Sequence, residues 1–422
     1  MPRLFRLPSS PPGGAQVPQR PSSRVRGARA CLRSCLGALG CLVALGGTPA
    51  FAANPTCASL PGVIYGTGGS ATQPFIGKYA AALAGLSTPI TVAYQAPGAC
   101  VAMAALGNPS ANLLTGTATY WNTAGKALTC TLPLTGVAAD FGAMGVYATS
   151  CPGVTQLPTG VGDFLGVISS WNFIVPNNST QQSISAEAAY FVFGYGAAGG
   201  VAPWTTESAL AIRNATSAAT VVISIATGIP PNKFKGVDAK TNQGSVNNII
   251  AVSNPETALG YCSGEIADAN RNVARTLAYQ HFGQSTGYWP DSSATAFDKR
   301  GVREGEYFLW TSTHLFAFVD GNGVPTNPNV AKFIGYFAGT LPAPAGVNLL
   351  DLTIANGNVP QCAMHVWRDG DLAPLYSYQP PTPCGCYFDF KATGATSCTD
   401  CTSNGDCPSD SPVCRLGFCE VQ

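Results

Sequence analysis

Val63-Ile64-Tyr65-Gly66-Thr67-Gly68-Gly69-Ser70-Ala71 is the stretch of the 422-residue chain that decides its fold. It begins as an apolar strand, turns at glycines and leads into a segment of small residues typical of a helix. This arrangement points backbone N–H groups at an anion, and the glycines let the backbone approach such a ligand closely. The stretch therefore predicts an α/β protein with an anion-binding loop. The predicted donors of this loop are Thr67, Gly68, Gly69 and Ser70.

Two other interpretations of this loop have to be weighed. The spacing Gly-x-Gly-x-x-Ala also resembles a dinucleotide-binding loop, which needs an acidic residue roughly 20 positions later to bind the ribose. Because no Asp or Glu occurs between Cys57 and Ala139, we disfavour that interpretation and predict no cofactor. An ordinary structural turn remains open.

Apolar runs alternate with possible helices along the rest of the chain. The predicted strands are residues 62–65, 90–94, 164–167, 173–175 and 210–212, and the predicted helices are residues 73–84, 184–193 and 329–338. This alternation predicts a mostly parallel sheet covered on both faces. Since no apolar run of about 18 residues follows the N-terminal segment, we expect no membrane-spanning helix.

A second glycine turn occurs within residues 94–103, again between a strand and a predicted helix, and its glycine is Gly98. A helix starting there would bring a second positive helix end towards the first loop. An ordinary loop with Cys100 in a disulfide is compatible with the same residues.

A third candidate lies at the end of the predicted strand 210–212, where Arg213 is followed by a hydroxyl-rich turn with Ser217 and Thr220. The planar guanidinium of arginine matches the oxygens of a carboxylate or a phosphate. A solvated arginine at a strand end is an equally open interpretation.

These turns belong to a series of blocks that resembles the substrate-binding proteins of bacterial phosphate ABC transporters. The blocks follow the order of that family and cover most of residues 57–339. They are Gly66-Thr67-Gly68-Gly69-Ser70 with Pro74-Phe75, Asp140-Phe141-Gly142-Ala143, Ile212-Arg213 through Thr220, Asn242-Gln243-Gly244 through Ala258-Leu259-Gly260-Tyr261, and the weaker Glu306-Tyr307-Phe308-Leu309-Trp310-Thr311.

The resemblance implies a type II periplasmic-binding-protein fold, in which two hinged lobes close on a ligand in the cleft between them. The implied bounds are residues 57–150 and 306–380 for lobe 1, and residues 151–305 for lobe 2. In the implied site, Thr67, Gly68, Gly69 and Ser70 donate to the ligand, Arg213 neutralises it, and Ser217 and Thr220 cap it from lobe 2. The implied function is non-catalytic capture of a small oxyanion, by a monomer, for uptake through an ABC permease.

Three departures from the family leave the ligand open. The "DFGAS" strand of the family leads into an Asp that accepts a proton from phosphate, whereas Met144-Gly145-Val146 stands here. A serine-rich turn has become Gly98-Ala99-Cys100, and a Gly-Ser-Gly-Thr turn has become Ser217-Ala218-Ala219-Thr220. An acidic acceptor would repel fully ionised sulfate, and that filter is missing. Phosphate, another oxyanion, a carboxylate and a cleft without a small ligand are therefore all open.

The N-terminus is typical of an export signal. Residues 1–52 contain seven arginines and no acidic residue, an apolar stretch at residues 36–45, and the cleavage motif Ala50-Phe51-Ala52. Lipidation at Cys41 is a weaker alternative. The remaining chain has 15 basic and 21 acidic residues, a net charge of −6, which argues against nucleic acid and anionic membranes as partners. We expect an exported protein of the periplasm or the cell surface.

Thirteen of the 16 cysteines follow the signal, and export makes disulfides the natural interpretation. Since the number is odd, at least one thiol lacks a partner within the chain. We predict Cys100 near Cys151, and Cys362 paired with Cys384 or Cys386. Residues 384–422 form a cysteine-rich tail that either binds an envelope partner or caps the fold. Its Cys398-Thr399-Asp400-Cys401 motif favours a disulfide knot over zinc, so we predict no metal.

An enzyme is the least favoured function. Gly260-Tyr261-Cys262-Ser263-Gly264 has the form of a nucleophile elbow with cysteine in place of serine, and His281, His314 and His365 follow it. The flanking residues also fit the Gly-Tyr block of the binding-protein family, and we expect Cys262 in a disulfide. We therefore predict no catalytic residue and keep a cysteine hydrolase and a surface interaction protein as alternatives.

Overall fold

The structure is a computed structural model that describes residues 54–421. The predicted signal peptide and the lipidation alternative at Cys41 lie outside the described residues. The helices are α1 Gln73–Ala84, α2 Val101–Gly107, α3 Ala186–Tyr195, α4 Ala218–Thr227, α5 Asn242–Ile250, α6 Gly264–Ala269, α7 Arg300–Arg303, α8 Pro328–Phe337, α9 Leu349–Ala355 and α10 Gly385–Thr393. The strands are β1 Ile64–Gly68, β2 Val92–Gln95, β3 Thr117–Trp121, β4 Ala127–Thr131, β5 Phe141–Met144, β6 Val161–Pro176, β7 Ser183–Ser185, β8 Leu210–Ile212, β9 Val237–Asp238, β10 Leu259–Ser263, β11 Ala274–Thr276, β12 Ala278–Gln280, β13 Trp310–Phe318, β14 Val366–Trp367, β15 Tyr376–Ser377, β16 Val413–Arg415 and β17 Phe418–Glu420.

One long strand, β6, joins two half-sheets. The strand order is β4-β3-β2-β1-β5-β13-β6-β10-β8-β9, and β11 also pairs with β6. From Val161 to Ser170, β6 pairs with β13 in the first half-sheet; from Trp171 onward it pairs with β10 in the second. Two α/β halves joined by crossing strands are the arrangement that the resemblance implied, and the predicted fold class is confirmed. The residue bounds of the lobes stay a prediction.

The prediction of a mostly parallel sheet is wrong. The pairs β1·β2, β1·β5, β8·β9 and β8·β10 are parallel. The crossing strands β6 and β13 run antiparallel to each other and to β10 and β5. The chain passes from one half to the other in β6 and returns in β13, which gives the mixed sheet.

Several element bounds were predictable from local signals. The helix predicted at residues 73–84 is α1, with Pro74 in its first turn and Gly85 at its end. Strand β8 is also as predicted, and α8 lies one residue earlier than expected. The helix predicted from residue 184 begins later, because Ile184 belongs to β7 and pairs with β12. The strands predicted at 164–167 and 173–175 are both parts of β6.

Six disulfides stabilise the described chain. The first half contains Cys57–Cys130, and Cys100–Cys151 is present as predicted. Cys362 pairs with Cys384, one of its two predicted partners. The tail is closed by Cys386–Cys398, Cys401–Cys414 and Cys407–Cys419.

The tail caps the first half. Its helix α10 packs on α9, where the Tyr387 hydroxyl donates to Asp351 over 2.6 Å and the Lys391 ammonium lies 2.9 Å from the same carboxylate. The Glu420 carboxylate in turn accepts the backbone N–H of Cys386 over 3.0 Å, which stabilises the first turn of α10. Within residues 54–421, none of the helices combines the length and the apolar character needed to cross a bilayer.

Candidate functional site

Three polar side chains from the two halves meet at one point. Ser70 follows β1, Arg213 follows β8, and Asn242 begins α5. The Ser70 hydroxyl oxygen accepts from Nη2 of Arg213 over 3.4 Å and from Nδ2 of Asn242 over 3.4 Å. The structure thus brings two predicted site residues together across the half-sheets and adds Asn242 to them.

Arg213 is buried, with 3 % of its surface exposed, yet its charge is only partly satisfied. Its Nη1 lies 3.5 Å from Oδ1 of Asp238. Neither Nη1 nor Nε has a hydrogen-bond partner, so the ion pair lacks hydrogen-bond geometry. Burial lowers the pKa of Arg213, and Asp238 opposes that shift. A buried guanidinium with unused donors is a strong recognition element for an oxyanion.

The backbone around Arg213 is held by a buried pair of hydroxyls. Thr220 donates to the Arg213 carbonyl over 2.8 Å and lies 2.9 Å from the Tyr261 hydroxyl, which in turn accepts the Arg213 N–H over 3.2 Å. Burial raises the pKa of Tyr261 to about 12, so its phenol stays neutral. Because the Thr220 hydroxyl is used in positioning Arg213, we do not place it among the ligand donors.

The glycine loop is shaped by its close approach to β5. Gly68 has a φ of 150°, and a Cβ there would lie 1.9 Å from the Ala143 carbonyl oxygen, so only glycine fits. Two predicted donors are used inside the protein. The Gly69 N–H donates to the Ala143 carbonyl oxygen over 2.9 Å. The Gly98 N–H donates to the Gly68 carbonyl oxygen over 3.1 Å. The Thr67 hydroxyl is buried without a partner.

The two halves touch beside this loop. The Cys100 N–H donates to the Thr216 carbonyl over 3.0 Å, and the Cys100–Cys151 disulfide fixes the turn that makes this contact. Helix α4 begins nearby, after Ser217, whose side chain makes no capping hydrogen bond. The first N–H groups of α4 thus receive no hydrogen-bond acceptor from the Ser217 side chain.

Asn242, Asp238 and Tyr261 were not predicted as site residues. Asn242 and Tyr261 stand in the block 242–261 that carries the resemblance, so the block was the available signal. Asp238 reaches Arg213 because β9 pairs with β8, with Asp238 opposite Ile212. This pairing places Asp238 beside Ile212, which lies 26 positions earlier in the sequence.

The expectation that Cys262 forms a disulfide is wrong: among the described cysteines it is the one without a partner. Its thiol is fully buried in β10, and burial raises its pKa well above the ordinary value, with Glu265 and Asp268 adding to the shift. A nucleophile needs an accessible thiolate. The geometry therefore gives the hydrolase alternative no support.

Three tail sulfurs, of Cys401, Cys407 and Cys419, lie within 4.8 Å of one another. All three belong to disulfides, so they offer no thiolates to a metal. The predicted disulfide knot at this position is confirmed.

No protein-family model matches the chain, and no curated protein matches it. Solved structures do align with it. A Clostridium perfringens protein assigned as a phosphate ABC transporter substrate-binding protein, with phosphate bound, is 9 % identical, with 71 % of this chain and 99 % of that chain covered and a TM-score of 0.49. An ABC-type phosphate transport receptor from Vibrio cholerae is 14 % identical, with 70 % and 99 % covered and a TM-score of 0.44. Full-length OxyR from Pseudomonas aeruginosa is 7 % identical, with 66 % and 70 % covered and a TM-score of 0.39.

Proposed function

We propose that this protein is an exported, non-catalytic binding protein that captures a small oxyanion between its two halves. The observation that carries the proposal is the buried Arg213, which keeps two nitrogen atoms without hydrogen-bond partners and reaches Ser70 of the opposite half. Asn242, whose Nδ2 also reaches the Ser70 hydroxyl, completes the donor set.

The electrostatics favour an anion of low charge. Asp238 compensates part of the Arg213 charge and is itself paired with the exposed Lys240, whose Nζ lies 2.8 Å from it. An anion would restore to Arg213 the hydrogen bonds that Asp238 does not provide. Phosphate-like ions and simple carboxylates fit this requirement.

An anion has to enter where the Ser70 hydroxyl now lies. Ser70 is 3.4 Å from both Arg213 and Asn242, so the described state is contracted around the serine. Ligand entry requires the halves to separate and then close again, as hinged binding proteins do.

The proposal is tested by following the melting of the mature protein with phosphate, sulfate or acetate. An anion at 100 times its dissociation constant should stabilise the fold by about 2.7 kcal/mol. Arg213→Ala should abolish the effect, and Arg300→Ala, at an exposed arginine, should leave it unchanged. Because Arg213→Ala removes a buried group, Ser70→Ala serves as a milder variant and should weaken binding about tenfold.

Absence of stabilisation by any anion would contradict the proposal and favour a surface protein that reuses the fold without a small ligand. Uptake through an ABC permease and an envelope partner for the tail stay proposals of the same kind. The six disulfides support a location outside the cytoplasm, in the periplasm or on the cell surface.

A further inference from the structure

Strand β6 changes its partner between Ser170 and Trp171, and we call this point the hinge. Ser170 is paired with Trp310 of β13, and Trp171 is paired with Ser263 of β10. Helix α6 begins directly after Ser263 and packs on the hinge, because a Cβ at Gly264 would lie 2.1 Å from the Ser170 hydroxyl oxygen. A residue in the first turn of α6 therefore lies where the two half-sheets join.

Glu265 is that residue, and its carboxylate is enclosed at the hinge. Only 4 % of its surface is exposed, and neither carboxylate oxygen has a hydrogen-bond partner. Burial raises the pKa of Glu265 to about 7, and the hydroxyls of Ser263 and Ser169 oppose this rise without reversing it. Ser263 is paired in the second half-sheet and Ser169 in the first, so the carboxylate lies against both.

The charged groups around Glu265 do not neutralise it. Asp268 on the same helix adds to the rise in its pKa, and the neighbouring Cys262 thiol stays neutral because burial raises its pKa well above the ordinary value. The lysines of the adjoining cavity each contact another oxygen atom: Lys78, Lys299 and Lys391. Residues 356–358, which also pack on α6, carry no charge.

Glu265 is connected to the oxyanion site through two residues. The backbone N–H of Ser263 donates to Oδ1 of Asn242 over 3.3 Å. Nδ2 of the same amide donates to the Ser70 hydroxyl over 3.4 Å, beside the guanidinium of Arg213. A movement of Ser263 at the hinge therefore displaces Asn242 at the site.

We propose that Glu265 is a positioning residue that makes anion capture depend on pH, because its neutral form supports the closed hinge and its ionised form favours opening. This role rests on the proposed oxyanion function. A buried carboxylate loses its hydration when it ionises, and around Glu265 no cation offsets that loss. Opening lets water reach the carboxylate and returns its pKa towards the ordinary value of 4.5.

The sign of the pH dependence follows from this linkage. Since the closed state raises the pKa of Glu265 from 4.5 to about 7, the support for closure is complete below pH 4.5 and is lost as the pH rises through about 7. The anion dissociation constant should therefore rise over this interval and level off above it. The interval sets an upper limit of about 300-fold on the rise.

The test is calorimetric titration of the mature, disulfide-intact protein with phosphate and with sulfate between pH 4.5 and 8, for the parent and for Glu265→Gln. Glutamine keeps the side-chain shape and cannot ionise. Because both proteins meet the same anion at each pH, the ratio of their dissociation constants cancels the titration of the anion. The ratio of parent to variant should rise about tenfold or more from pH 4.5 to 7.5.

Two further variants separate titration from a purely structural role of Glu265. Ser263→Ala removes a hydroxyl that opposes the rise in pKa, so it should move the upper end of the pH dependence to higher pH. The exposed Glu306→Gln should follow the parent at every pH.

Hydrogen exchange at residues 168–172 of β6 tests the hinge without an anion. At pH 7.5 the ligand-free parent should exchange these amides severalfold faster than Glu265→Gln, and at pH 4.5 the two should be alike. If an anion binds with a ratio that is flat in pH, the role of Glu265 is overturned while the oxyanion function stands. If neither anion binds, the oxyanion function fails, and equal exchange at pH 7.5 would overturn the role of Glu265 as well.

Discussion

Gly98 lies where the two halves touch, so a larger side chain at this position should disturb their closure. A Cβ at this position would lie 2.6 Å from Oγ1 of Thr216, across the contact between the halves. Apart from that hydroxyl, the nearest atoms are 3.6 Å away, at ordinary contact distance. Gly98→Ala therefore places one methyl group against one hydroxyl in the closed state.

Overpacking of this kind costs about 2 kcal/mol, and opening of the halves relieves it. If an anion binds only the closed state, its dissociation constant should rise by up to about thirtyfold, the full factor applying where the ligand-free parent is mostly open. At an anion concentration of 100 times the parent dissociation constant, the thirtyfold limit corresponds to a fall in stabilisation from about 2.7 to about 0.9 kcal/mol. The assay is thermal melting with and without the anion, with small-angle scattering to follow the opening of the ligand-free protein.

The matched control is Thr216→Ala, alone and combined with Gly98→Ala. The double variant removes the hydroxyl and should recover most of the anion effect. The φ of 154° at Gly98 adds a backbone strain that Thr216→Ala does not relieve, so the comparison isolates the clash. Equal anion binding by Gly98→Ala and the parent, or no recovery in the double variant, would refute a role for this contact in closure.

Three further predictions concern stability and reactivity. Replacing Cys100 and Cys151 by serine opens a link across 51 residues and should lower the free energy of unfolding by about 4 kcal/mol, measured by urea titration. The pKa of Glu265 is raised by burial, with a contribution from Asp268, so the stability it contributes is present below pH 4.5 and lost as the pH rises through about 7. Glu265→Gln should flatten this decline, by at most about 3 kcal/mol, in melting curves between pH 4.5 and 8; an unchanged decline would show that Glu265 titrates normally. Cys262 should react with a thiol reagent only after unfolding, as read by mass spectrometry, and rapid labelling of the native protein would contradict its burial.

Local sequence patterns predict an element correctly where one short segment determines its own structure. The turn after β1 and the helix α1 follow from the glycines and from Pro74 at the helix start. The length of β6 does not follow in this way, because Ser169 and Ser170 interrupt its apolar pattern. These serines are buried only because distant residues cover them: Asn358 donates to the Ser169 hydroxyl over 2.6 Å from another part of the chain.

The site was predictable to a similar degree. Ser70 and Arg213 follow the ends of predicted strands. Because ligands of α/β proteins bind at the carboxyl ends of the strands, the sequence indicates both residues as candidate site residues. Asn242 and Asp238 reach the same place only through the position of α5 and the pairing of β9 with β8. The use of the Gly69 and Gly98 N–H groups inside the protein likewise depends on contacts that the sequence does not reveal.

The Cys362–Cys384 disulfide has a consequence for proteolysis. The proline-rich connection at residues 379–383 lies between these two cysteines. A protease that cut this connection would separate the peptide chain but leave the tail covalently attached to the body. After such a cut the two fragments stay together through this disulfide and separate only after reduction.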